Sequence, residues 1–170
     1  MTQTLWLFGD INAESAQYLC YEILSSQEED EICLYINSTG GEVHSALGII
    51  NVMLQSKVPI RTIVCGSACS MALTIAACGT KGRRQCYPYA VYMYHDVQMS
   101  FNEVSSKRQM SGYLDEFDKV TSLEHRLLAN ASNLSIDDIE AIVNTGHEVY
   151  ICADEALKMG IVDVVINRGS

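Results

Sequence analysis

Short apolar runs alternate with amphipathic segments along this chain, and that alternation restricts the fold more than any other feature. "TLWLF" (4–8), "EICLYIN" (31–37) and "IRTIVCG" (60–66) read as strands. Between them, Ala16, Leu19, Cys20, Ile23 and Leu24 recur at helical spacing within 12–26, and Val43, Ala46, Leu47, Ile50 and Leu54 mark a second helix. The third strand runs at once into an apolar helix, "SMALTIAAC" (70–78), which Gly79 ends because glycine adopts a left-handed cap at low cost. Strands separated by helices pair in parallel through right-handed crossovers, so the expected class is α/β. In such folds, sites gather at the carboxyl ends of strands.

The second half continues with a basic turn, "KGRR", then "QCYP" and an alternating strand, "AVYMYH" (90–95). A long helix is expected from about Glu103 to Ala131, since Met110, Tyr113, Leu114, Phe117, Val120, Leu123, Leu127 and Leu128 recur at close to 3.5 residues. Ser135, with Asp138 three positions on, is a capping signal for a further helix. A short helix (153–158), Gly160 and the strand "IVDVVI" close the chain. With no internal repeat and only two prolines, nothing divides the sequence, and one domain over residues 1–170 is expected.

The formal net charge is −10, which repels phosphate backbones and anionic lipid and so argues against nucleic-acid and membrane-surface roles. The densest charge run, Glu28-Glu29-Asp30-Glu31, reads as a solvated loop. Seven cysteines form no C-x-x-C pair and join no histidine at metal-ligand spacing, so neither a metal nor another cofactor is expected. Free thiols point to a reducing compartment, and the start, "MTQTLWLFGD", has neither the basic residues nor the long apolar run of a signal peptide. A cytoplasmic location follows as the expectation.

Residues 65–72, "CGSACSMA", place four candidate nucleophiles between a strand and a helix: Cys65, Ser67, Cys69 and Ser70. Ser70 stands where an apolar helix begins, and the unpaired N–H groups there suit a developing oxyanion; alone, Ser70 or Ser67 is equally well an ordinary N-cap. The run lacks the G-x-S-x-G pattern of α/β-hydrolases. Gly40-Gly41 follows the second strand and His95 ends the strand "AVYMYH". Of the other histidines, His44 and His125 sit in helices where surface positions are the default. Gly-Gly, serine and histidine, each at a strand end, together supply an oxyanion donor, a nucleophile and a general base.

"LYINSTGGEV", "GSACSMA", "VYMYH" and "ADEALKMGIVDVVI" resemble the proteolytic subunit of the Clp protease, a self-compartmentalising serine peptidase, from about Leu5 to Ile166. The spacing is specific: Ser70 stands 29 positions after Gly41, and His95 stands 25 after Ser70. The resemblance implies Ser70 as nucleophile, His95 as general base, and the backbone N–H groups of Gly41 and Met71 as the oxyanion hole. It places the third triad member at Glu148, two before Tyr150, where the family usually has an aspartate. It implies a polypeptide substrate added as a β-strand along Gly40, Gly41, Val97, Gln98 and Met99. The implied fold is the spiral of ββα units shared with crotonases, with a helical handle at about 97–131. The implied assembly is two stacked heptameric rings.

The run after His95, "DVQMS", replaces the family's proline and glycine pair. The resemblance implies an AAA+ unfoldase as a partner, but the chain begins almost at its first core strand, without the family's axial segment, which argues against that docking. In that respect it is similar to shortened Clp-like proteases of bacteriophages. Two other readings stay open at this stage: a non-catalytic subunit of a mixed ring, and a crotonase-type acyl-CoA enzyme.

Overall fold

The computed structural model describes residues 1–98 and 106–167. Seven strands make one sheet. Its central path runs β1 (Thr2–Ile11), β2 (Glu31–Gly41), β3 (Ile60–Cys69), β4 (Arg84–Cys86) and β7 (Val164–Val165), all parallel. The crossovers are α1 (Ala13–Ser25), α2 (Val43–Gln55) and α3 (Met71–Ala77). The class is mixed α/β, as the alternation of strands and helices implies.

The first three strands are longer than their apolar runs. β2 continues through Ser38 to Gly41 and β3 through Gly66 to Cys69, because their polar ends still find ladder partners across the sheet. β5 (Val91–Tyr94) leaves the main path, pairing in parallel with β3 and antiparallel with β6 (Val149–Cys152). Neither β6 nor β4 has the length or the alternation that marks a strand in sequence.

The core lies between the sheet and the crossover helices. Ile32, Leu34 and Ile36 of β2 are fully buried, as are Leu19 and Ile23 of α1 and Ile49 and Ile50 of α2. α3 is buried along its whole length, so its apolar composition is what a helix enclosed on every side requires. Leu73 and Ile75 within it contribute about 2 kcal/mol each by burial. α4 (Lys107–Ala131) is the long helix, and it packs its carboxyl-terminal half on α3 and α5 (Ile136–Val143). The expected start of α4, at Glu103, lies outside the described residues.

One correction concerns charge. Glu31 is not part of a solvated loop: it is buried at the start of β2, where Arg61 pairs with it at 2.7 Å and Arg83 also bonds it. Arg84 is 3% exposed, and its guanidinium holds Asp163 through bonds of 2.9 and 2.5 Å. The same side chain donates to the carbonyls of Ala77 and Ala131, the last residues of α3 and α4. One cation therefore joins β4, the approach to β7 and two helix ends whose dipoles favour positive charge.

Burial alone raises the Asp163 carboxyl, but bonds and charge from Arg84 and the Gly82 N–H outweigh it and hold the group below its ordinary value. Its contribution is therefore whole above about pH 4 and is lost as pH falls through the depressed value. Arg84→Ala is expected to lower stability by about 3–5 kcal/mol in urea unfolding at neutral pH. Asp163→Asn should also destabilise at neutral pH, with its deficit against wild type shrinking as the pH drops below about 4.

Candidate active site

The site begins with a bulge. Ile36 pairs with Val64 and Ser38 with Ala68, so one residue of β2 lies against three of β3. Asn37, the residue between, holds the excess: its Oδ1 accepts from the Ser67 N–H at 3.0 Å and the Ser67 hydroxyl at 3.2 Å. Gly66 leaves room for the Asn37 side chain, which a Cβ would strike. Before the bulge β3 pairs with β4; after it, Ser67, Ala68 and Cys69 pair with Val91, Tyr92 and Met93 of β5.

Ser70 comes next. Its N–H donates to the Met93 carbonyl at 2.7 Å, and its backbone stands at φ 54° and ψ −130°. Among the described residues it is the one non-glycine with positive φ. α3 starts at Met71, so Ser70 occupies the cap position, yet its side chain makes no capping bond. The ordinary N-cap reading therefore fails for this hydroxyl. The other candidates in the turn are engaged: the Ser67 hydroxyl by Asn37, and the Cys65 thiol by the Ile36 carbonyl at 3.4 Å. Burial pushes the Cys69 thiol up, and the nearby charge of Glu148 adds to it, so it is held as the poorly nucleophilic neutral form.

A cleft of about 220 Å³ opens beside Ser70 and is lined by Gly41, Met71, His95, Val97, Gln98 and Glu124, together with Thr39, Val43 and Tyr94. Gly40 supports it from behind. At φ 93° it lies so close to the turn that a Cβ would stand 2.6 Å from the Cys69 carbonyl oxygen and 2.8 Å from the Ser70 Cβ. His95 follows β5 directly and is half-buried; its Nδ1 is buried and has no hydrogen-bond partner among the described residues. Met99 lies outside the described residues.

A family model for the Clp protease matches residues 1–169. The chain belongs to the Clp protease family. It is similar to the ATP-dependent Clp protease proteolytic subunit 2 of Mycolicibacterium paratuberculosis, 32% identical over 169 residues that cover 98% of this chain and 83% of the relative. It is also similar to the ATP-dependent Clp protease proteolytic subunit of Lactococcus lactis, 29% identical over 169 residues, with 98% and 84% covered. Membership in the Clp protease family makes the chain a peptidase, a hydrolase, and the acyl-CoA reading falls away. Rings and polypeptide substrates go with the family. Among the described residues no helix is long and apolar enough to cross a membrane, and no three His, Cys, Asp or Glu side chains are grouped to hold a metal ion.

Glu148 stands apart from the cleft of this Clp family member. The β5–β6 register pairs Tyr94 with Val149, and one further step sets Glu148 opposite His95. Its carboxylate nevertheless accepts from the Tyr150 hydroxyl at 2.9 Å, on the exposed side of the strand pair. His44 is exposed on α2, 3.4 Å from Glu116. His125 corrects the surface expectation: it is 7% exposed, because it shares with Leu128 the face of α4 that turns inward.

Glu124, Thr74 and Tyr94 form a cluster at the site that the sequence reading does not single out. Glu124, also buried on α4, accepts from the Thr74 hydroxyl at 2.7 Å and from the Tyr94 hydroxyl at 2.5 Å. Only an acid placed three positions before a run of apolar helix residues hints at it, and such acids are usually solvated.

The backbone at Ser70 tests whether the turn stores strain. A non-glycine residue there costs about 1–3 kcal/mol, while glycine gains unfolded-state freedom worth about 0.4–1 kcal/mol. Ser70→Gly is therefore expected to be more stable than Ser70→Ala by about 1 kcal/mol, read by urea unfolding of the two variants side by side.

Proposed function

We propose that this chain is a serine endopeptidase that cleaves unfolded polypeptides or short peptides inside a ring assembly by acyl transfer. The observation that carries the reading is Ser70: a hydroxyl free of capping duty, on a strained strand-to-helix turn, bordering a cleft shared with His95. The proposed oxyanion donors are the N–H of Met71, which heads α3 and so has no partner within the helix, and the N–H of Gly41 on the opposite wall.

In this mechanism Ser70 Oγ attacks the peptide carbonyl while His95 takes its proton and returns it to the leaving amine. Water then repeats the sequence on the acyl-enzyme. Gly41 and Met71 hold the oxyanion through both halves. Glu148 orients the imidazole through Nδ1, the atom now without a partner, by giving up its bond to Tyr150. The substrate lies as an added strand along Gly40–Gly41 on one side and Val97 and Gln98 on the other; such pairing needs backbone groups rather than particular side chains. The assembly we propose is a stacked pair of heptameric rings, with the segment from about 97 to 131 as the handle between them.

Ser70→Ala should abolish both cleavage of unstructured peptides and labelling by a fluorophosphonate, with assembly retained on gel filtration. Cys69→Ala should keep the labelling. Labelling that survives in Ser70→Ala refutes the assignment, and assembled wild-type rings that never label would make the chain a non-catalytic ring subunit. Glu148→Gln should lower kcat by about 10³–10⁴-fold with KM little changed, since an amide in that place cannot balance the imidazolium.

A further inference from the structure

Glu124 takes no part in the acyl transfer, yet it borders the cleft where that transfer would occur. It is 3% exposed and lines the same space as Ser70, Met71 and His95. The Thr74 hydroxyl bonds Oε1 and the Tyr94 hydroxyl bonds Oε2. These two donors come from the helix that Ser70 heads and from the residue just before His95. The carboxyl is thus fixed relative to both groups. Each oxygen accepts from one hydroxyl and keeps a lone pair, so the group retains capacity for a further donor.

Burial holds the Glu124 carboxyl above its ordinary value: the bonds to Tyr94 and Thr74 and the nearby His125 pull it down without offsetting burial, and Asp96 adds to the rise, so its charged form is short of favourable partners. No lysine or arginine lines the cleft among the described residues. A carboxyl held out of water gains more from an incoming cation than an exposed one, because solvent does not screen the pair. An apolar side chain in the same place brings neither a cation nor a further donor, so the buried charge goes uncompensated.

We propose that Glu124 is the specificity determinant of the cleft, selecting peptides whose side chain on the acyl side of the scissile bond is lysine or arginine over those with leucine or methionine there. The proposal rests on the reading of Ser70 as nucleophile. It concerns a residue that touches substrate and that Ser70, His95 and Glu148 do not require for the chemistry.

Two peptidyl phosphonates that are identical except for an arginine-like or a leucine-like side chain beside the phosphorus test it. The full-length assembled chain is treated with each, and the rate of modification of Ser70 is followed by intact-protein and peptide mass spectrometry. The ratio of the two rates on one preparation cancels any loss of folded protein or of serine reactivity. Wild type is expected to react at least tenfold faster with the arginine-like probe. Glu124→Gln should bring the ratio near one and Glu124→Asp should keep it above one; if the glutamine variant does not fold, Glu124→Met supplies the same comparison. A wild-type preference for the leucine-like probe, or a ratio unchanged by the neutral substitutions, overturns the proposal while leaving the peptidase reading intact. Failure of both probes to modify Ser70 in the assembled protein overturns both.

Discussion

Asn37 holds the bulge of β3 open by accepting two hydrogen bonds from Ser67, and the positions of Ser70 and His95 both follow from that bulge. A regular parallel strand would keep one neighbour along its length. With the bulge, β3 leaves β4 and takes β5, so that Cys69 pairs with Met93 and the next residues on each strand approach the same cleft. The Ser70 N–H closes the arrangement on the Met93 carbonyl. Gly40 then lets β2 press against the turn at a distance no side chain allows. The cleft is therefore built from backbone first, and its side chains are placed by it.

Stability and strain lie at opposite ends of the sheet. Glu31 with Arg61 and Arg83 ties the amino-terminal ends of the strands. Arg84 with Asp163 joins β4 to the approach to β7 and to two helix ends. At the carboxyl ends stand the positive φ of Ser70 and the unpartnered Nδ1 of His95. Strained backbone and unsatisfied polar groups persist only where surrounding structure over-determines them. Buried β2, the enclosed α3 and the Arg84 cluster supply that surplus.

The α/β class was legible because the first three strands and their helices have clean and different periods: Leu34 and Ile36 alternate, while Leu19 and Ile23 repeat at four. Ser70, Gly41 and His95 were legible as strand-end residues, since parallel topology alone puts strand ends on one side. The bulge was not: the run Cys65–Ser67 has no pattern that distinguishes an extra pair of residues from a loop, and Asn37 reads as the last residue of an ordinary strand. β6 was also hidden, being four residues that become a strand only when β5 is beside them. Glu31 and His125 were misjudged for a shared reason. Charge and polarity indicate water only when no partner is at hand, and Arg61, Arg83 and the inward face of α4 are distant in sequence.

Glu124 lines this cleft and Glu148 stands outside it, and their surroundings suit the two to different work. Glu148 is exposed, beside the strand end that carries His95, and bound to a neighbouring hydroxyl that water can replace. A carboxylate in that setting can turn toward an imidazole and away again at little cost, which suits the orienting role proposed for it. Glu124 cannot move so freely, since both oxygens are tied to elements that also carry Ser70 and His95. A fixed and desolvated acid is a poor shuttle but a sharp discriminator, because whatever enters either brings it a cation and a further donor or leaves its buried charge uncompensated. The long helix thus joins the site at its buried end through one side chain, and substitutions at Thr74 or Tyr94 act on selectivity through that side chain while also bearing on the packing of α3 and β5.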